Sequence, residues 1–129
     1  MLHVLHIEDQ PDIRTILRLT LQATGHFKVD GAATGAEGLA LAHDVKPDVI
    51  LLDYTLPDLS GDQILEKLRA NDVTAPIPVI MLTALADNLD IQRCRSLGVL
   101  DVIVKPFSPR TLAGQIRDLV AAHKAAGAT

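Results

Sequence analysis

Five short apolar runs punctuate the chain, at residues 2–7, 27–33, 48–52, 77–82 and 100–104. Most are rich in Val, Ile or Leu and too short for a buried helix, so they predict strands. In the second run Lys28 and Asp30 alternate with apolar neighbours, the pattern of an edge strand with one wetter face. Between the runs the apolar period changes to that of a helix. Ile13, Ile16, Leu17 and Leu21 fall on one stripe, as do Leu112, Ile116, Leu119 and Val120. Ser108 before Pro109 has the form of an N-cap followed by proline at the first helical position. Gly25 and Gly98 stand where the first and fourth helices should stop.

Strand and helix alternate five times, which predicts an α/β fold: a (βα)5 doubly wound parallel sheet with helices on both faces. The loops are short and no linker or repeat interrupts the pattern, so residues 1–129 are expected to form one domain, with the tail from Ala121 as a fraying helix end. In such sheets ligands sit beyond the carboxyl ends of the strands. Strand one runs out into Glu8 and Asp9, strand three into Asp53, strand four into Thr83 and Ala84, strand five into Lys105 and Pro106. Carboxylates gathered this closely call for a cation. All-oxygen donors without clustered His or Cys select a hard divalent ion, magnesium first. A magnesium ion and a lysine around one carboxylate suit phosphoryl chemistry, with Asp53 as nucleophile and the metal, Lys105 and the Thr83 hydroxyl on the three equatorial oxygens. Ala84, being small, leaves a lane for a donor.

Composition narrows this picture. The net charge of −4 argues against a broad nucleic-acid footprint. The single cysteine, Cys94, forbids an intrachain disulfide and suits a reducing compartment. No run approaches the roughly 20 apolar residues of a membrane span, and the first run is too short and polar for an export signal. A cytoplasmic protein is expected.

Asp53-Tyr54-Thr55-Leu56-Pro57, with Gly61 further on, together with Glu8-Asp9, Thr83-Ala84 and Lys105-Pro106-Phe107, resembles the response-regulator receiver domain of two-component systems. The resemblance runs from Leu2 to about His123 and implies a flavodoxin-like sheet of strand order 2-1-3-4-5. It implies that Asp53 accepts a phosphoryl group in a magnesium-dependent reaction. Asp9, Asp53 and the Thr55 backbone carbonyl would ligate the metal, with Glu8 acting through a water. Lys105 would bridge to the phosphoryl group, and its bond to Pro106 would be cis. The implied partners are a sensor histidine kinase or phosphotransfer protein upstream and a downstream protein or output domain, reached through the face of the fourth helix, fifth strand and fifth helix. Whether phosphorylation also drives formation of a homodimer is left open. The chain would catalyse only its own phosphorylation and dephosphorylation.

One departure concerns the switch. Many receivers carry an aromatic residue three positions before the lysine; here it is Val102. Thr55 and Leu85, two positions beyond Asp53 and Thr83, would border the path of attacking water, and apolar Leu85 should slow phosphoryl loss. The enzyme alternative, an aspartyl phosphohydrolase, wants an acid two residues after the nucleophile, where Thr55 stands. Neither GxGxxG nor GxxxxGK[ST] is present to support a nucleotide-binding module. His3 and His6 are expected to be packing or rim residues rather than metal ligands, His26, His43 and His123 to face solvent, and Phe107 to anchor its loop.

Overall fold

The computed structural model describes residues 1–84 and 89–127. Among these, β1 (Leu2–Ile7), β2 (Phe27–Ala32), β3 (Val49–Asp53), β4 (Val79–Thr83) and β5 (Asp101–Val104) alternate with α1 (Pro11–Ala23), α2 (Gly35–Val45), α3 (Gly61–Ala70), α4 (Leu89–Ser96) and α5 (Pro109–Gly127). The sheet is parallel throughout in the order β2-β1-β3-β4-β5, the flavodoxin-like arrangement. β3 and β4 are buried along their whole length, as strands covered on both faces must be. β2 lies at the edge, with Lys28 and Gly31 exposed.

Two apolar layers sandwich the sheet. Val4, Val49, Leu51, Ile80, Leu82 and Ile103 pack with residues of α1 and α5. Leu5, Ile7, Ile50, Leu52 and Met81 pack with residues of α2, α3 and α4. Successive strand side chains alternate between the layers. The expected helix stops hold: Gly25 and Gly98 have φ of 79° and 84°, and α5 begins at Pro109 directly after Ser108.

Some expected boundaries hold and others move. β3 and β4 end at Asp53 and Thr83, one residue past the apolar runs and where the sequence places the strand ends, with pairing carried on by Tyr54 N–H to Leu82 O and Lys105 N–H to Thr83 O. β4 begins at Val79 rather than 77, since the Ile77 N–H is committed to a turn bond with Thr74 O. Ile16, expected on the buried stripe of α1, is 55% exposed; Leu17 and Leu21 carry that face. The tail from Ala121 is regular helix through Gly127.

Arg69, near the end of α3, fastens the edge of the sheet opposite the carboxyl ends. Its guanidinium donates to the carbonyls of Ala75, Ile77, Leu97 and Gly98, joining α3 to the loops before β4 and β5. On the other flank α2 crosses close to β1 at Gly38, where an added Cβ would lie 2.4 Å from Ile7 Cδ1 and 2.8 Å from Cγ1. Gly38→Ala should therefore destabilise the fold by about 1–3 kcal/mol, although alanine favours helix by about 1 kcal/mol. Urea unfolding will measure it, and an unchanged midpoint would contradict this packing.

Candidate functional site

The parallel register puts the last residues of β1, β3, β4 and β5 on one rim. Each candidate side chain owes its place to a buried strand behind it rather than to its own loop. Asp53 ends β3 and is 6% exposed. One of its oxygens, Oδ2, accepts from Lys105 Nζ at 3.0 Å, and the other, Oδ1, from the Thr55 N–H at 3.2 Å. Lys105 Nζ also stands 3.7 Å from Glu8 Oε2. Glu8, Asp9 and Asp53 each offer a carboxylate oxygen within 4.8 Å of the others. Thr83 is buried at the end of β4, and Ala84 beside it is exposed. The Lys105–Pro106 bond is cis. Phe107 is half-buried against the α1/α5 layer. Every candidate from the sequence thus reaches this rim except Leu85, which lies outside the described residues.

Glu8 is the anomalous member. It is 1% exposed, and neither carboxylate oxygen has a hydrogen-bond partner. Burial first, then the adjacent Asp53 carboxylate, push its pKa up to about 8, against the pull of Lys105. An orphaned buried carboxylate beside two more carboxylates is the donor set of a hard divalent cation, so the residues fit such an ion.

The loop after β3 is held at three points. Thr55 and Ser60 form an antiparallel bridge, the Gly61 N–H donates to Tyr54 O, and Ser60 with Gln63 forms a capping box at the start of α3. Asp58 reaches across to the first turn of α2, its two oxygens accepting the Gly35 and Ala36 N–H groups at 2.8 and 2.9 Å. Those bonds hold its carboxyl below the usual range. Gly35 permits this approach, since an added Cβ would sit 3.1 Å from Asp58 Oδ1 and 2.9 Å from Ile64 Cδ1. Arg14 on α1 donates to the Glu8 carbonyl at 2.7 Å. No spacing in the sequence announces Asp58 or Arg14, because each acts on the backbone of a segment remote in the chain.

The histidines divide. His26, His43 and His123 are exposed as expected, and His3 pairs with Asp30 across β1 and β2 at 2.5 Å. His6 is a buried side chain, 1% exposed, with no partner for either ring nitrogen, and burial lowers its pKa to about 4. Alternation along β1 turns it with Val4 toward the α1/α5 layer.

An ammonium hydrogen-bonded to an aspartate, flanked by two further carboxylates at the carboxyl ends of a doubly wound sheet, defines a site for a cation and an anion together. Comparison with known proteins agrees. Residues 4–117 match the family model of the response regulator receiver domain. The chain is 41% identical over 114 residues to a probable transcriptional regulator, ycf27, of Guillardia theta, covering 88% of this chain and 43% of that protein. It is 36% identical over 120 residues to the DNA-binding dual master transcriptional regulator RpaA of Synechocystis, covering 93% and 49%. The solved structure of the chemotaxis protein CheY4 of Vibrio cholerae superposes with a TM-score of 0.84 at 32% identity, covering 92% of this chain and 98% of that one.

The chain belongs to the response-regulator receiver family and is a receiver domain of two-component signal transduction. It spans about half the length of the curated relatives it matches. No helix among the described residues is long and apolar enough to cross a membrane.

The raised pKa of Glu8 has a consequence for stability. Its ordinary value is near 4.5, so between about 4.5 and 8 the folded protein binds a proton that the unfolded chain has released. Stability of the metal-free protein should fall as pH rises from about 6.5 to 8; below 6.5 the buried His6, neutral when folded and protonated when unfolded, works in the opposite direction. Adding magnesium should reverse the trend, because ligation takes the ionised carboxylate. Melting temperatures from pH 5 to 8, with chelator and with magnesium, will show it; parallel curves would contradict the assignment.

Proposed function

We propose that Asp53 accepts a phosphoryl group from a histidine kinase or phosphotransfer protein, and that the modified domain then changes its protein contacts. The observation that carries this reading is Lys105 Nζ at 3.0 Å from Asp53 Oδ2, beside the carboxylate cluster of Glu8, Asp9 and Asp53. Magnesium is the cation that fits, with Asp9, Asp53 and the Thr55 carbonyl as direct ligands and Glu8 reaching through water. When bound, it would neutralise the carboxylates and draw charge from the phosphoryl oxygens.

The protein's own groups do the rest. The Lys105 ammonium moves from Asp53 onto a phosphoryl oxygen as negative charge spreads over the equatorial positions. The Thr83 hydroxyl takes another of those oxygens. The Thr55 N–H holds the second Asp53 oxygen in place while the first attacks. A bond forms between Asp53 and phosphorus as the bond to the donor's leaving group breaks. An apolar recess of about 510 Å³ supports a protein donor at this place: Ile13, Ile16, Leu17, Pro106 and Phe107 line it and Lys105 borders it. Ile16 is exposed there at the mouth.

The chain catalyses only its own phosphorylation and dephosphorylation, in the cytoplasm, as a single receiver unit over residues 1–129. Phosphorylation adds up to about two negative charges at the rim. The output is a protein contact or an attached output domain. The net charge of −4 argues against direct nucleic-acid binding by these residues, although RpaA is named as DNA-binding.

Incubation with magnesium and acetyl phosphate should add one phosphoryl group by intact-mass measurement. Chelation of the metal should abolish the label, and so should Asp53→Ala. Labelling that persists in Asp53→Ala would overturn the assignment. Lys105→Met should reduce the labelling rate by about 10-fold or more, with the melting temperature reporting its fold.

A further inference from the structure

A second polar cavity lies in the wedge between α1 and the edge strand β2, away from the carboxylate cluster. It encloses about 230 Å³ and is lined by His6, Arg14, Thr15, Arg18, Val29 and Gly31. His6 forms its inner end with both ring nitrogens unpartnered. A neutral imidazole carries one N–H and one lone pair, and leaving such a group unmade in the interior costs about 1–3 kcal/mol. Arg14 and Arg18 stand one turn apart on the same face of α1, a like-charge spacing that mildly disfavours the helix. Among the described residues no carboxylate pairs with either guanidinium, and Arg14 spends its hydrogen bond on the neutral Glu8 carbonyl. Gly31 is exposed and leaves the mouth open; an added Cβ there would come 3.4 Å from Arg14 Cδ.

The lining therefore holds two uncompensated cations, a hydroxyl and a buried imidazole, with no acidic side chain, in a protein whose net charge is −4. Two guanidiniums, that of Arg18 exposed and that of Arg14 already donating to the Glu8 carbonyl, with a hydroxyl and an imidazole beside them, offer donors suited to an oxyanion with several acceptor oxygens better than to a halide. We propose that this wedge is an anion site for a phosphate-type group, supplied as inorganic phosphate or as the phosphate of a small ester. The site does not depend on phosphorylation of Asp53 and shares no ligand with it. It abuts that site through Arg14, which an anion would share with the Glu8 carbonyl.

The test is an NMR titration of the ¹⁵N-labelled full chain with chelator present, at constant ionic strength. Inorganic phosphate, a simple phosphate monoester and acetate are added in separate arms. The expected result is saturable movement of the Arg18 Nε–H and Gly31 amide signals with phosphate or the ester, and little with acetate. Saturation by the ester alone supports the site and assigns its source. Arg18→Gln should weaken binding by tenfold or more, and Gly31→Val should block the mouth without removing charge. Both variants should still be labelled on Asp53 by acetyl phosphate, which certifies their fold and separates this proposal from the phosphoryl-acceptor reading. Linear, salt-like shifts, equal response to acetate, or undiminished affinity in Arg18→Gln would overturn it.

Discussion

The arrangement turns on the repulsion between Glu8 and Asp53, two carboxyl groups brought together where water is nearly excluded. With both ionised, at a separation of about 4 Å and an effective dielectric of about 20, they would repel by about 4 kcal/mol, and Glu8 keeps its proton up to about pH 8 instead. The fold imposes this through backbone pairing, since β1 and β3 are neighbours and both are buried in the middle of the sheet. Lys105 offsets part of it from the end of β5. Burial first, and then Asp53, raise the pKa of Glu8, whose oxygens have no hydrogen-bond partner. A site held in this condition is pre-set to take up positive charge, and the two apolar layers supply the stability against which that tension is kept.

The strands were legible because buried parallel strands need continuous apolar runs, and β1 matches its run from Leu2 to Ile7. Some strand starts were less so: β4 begins at Val79 rather than 77 because the Ile77 N–H turns back to Thr74 O, a bond that carries no compositional mark. The functional rim was readable for a different reason: parallel topology alone collects strand ends. Ile16 misled because helical period states which residues share a face, not how much of that face a neighbour covers. Asp58, Arg14 and Arg69 were invisible for a common reason. Each binds backbone groups, and backbone groups look alike in every sequence.

The position three before Lys105 differs here from the common receiver pattern: it is Val102, buried at 8% exposure and without a ring. The loop bearing Thr55 is nonetheless continuous with α4 through polar contacts. Thr55 bridges to Ser60, the Ser60 hydroxyl donates to Asp62 at 2.5 Å, and Arg93 of α4 stands 3.8 Å from Asp62 and pairs with Glu66. Contacts of this exposed kind are individually weak. Their interest lies in connecting the loop after β3 and α4 by charge rather than by packing.

Arg69 gives that connection a mechanical frame. By gripping the carbonyls of Leu97 and Gly98, just past the end of α4, together with those of Ala75 and Ile77, it pins the far end of this helix to α3. The near end of α4 lies on the side of the sheet where Thr83 and Lys105 sit. A helix tied in this way is fixed at its C-terminal end by one guanidinium, so the loops before β4 and β5 and the end of α3 are held together by a single side chain.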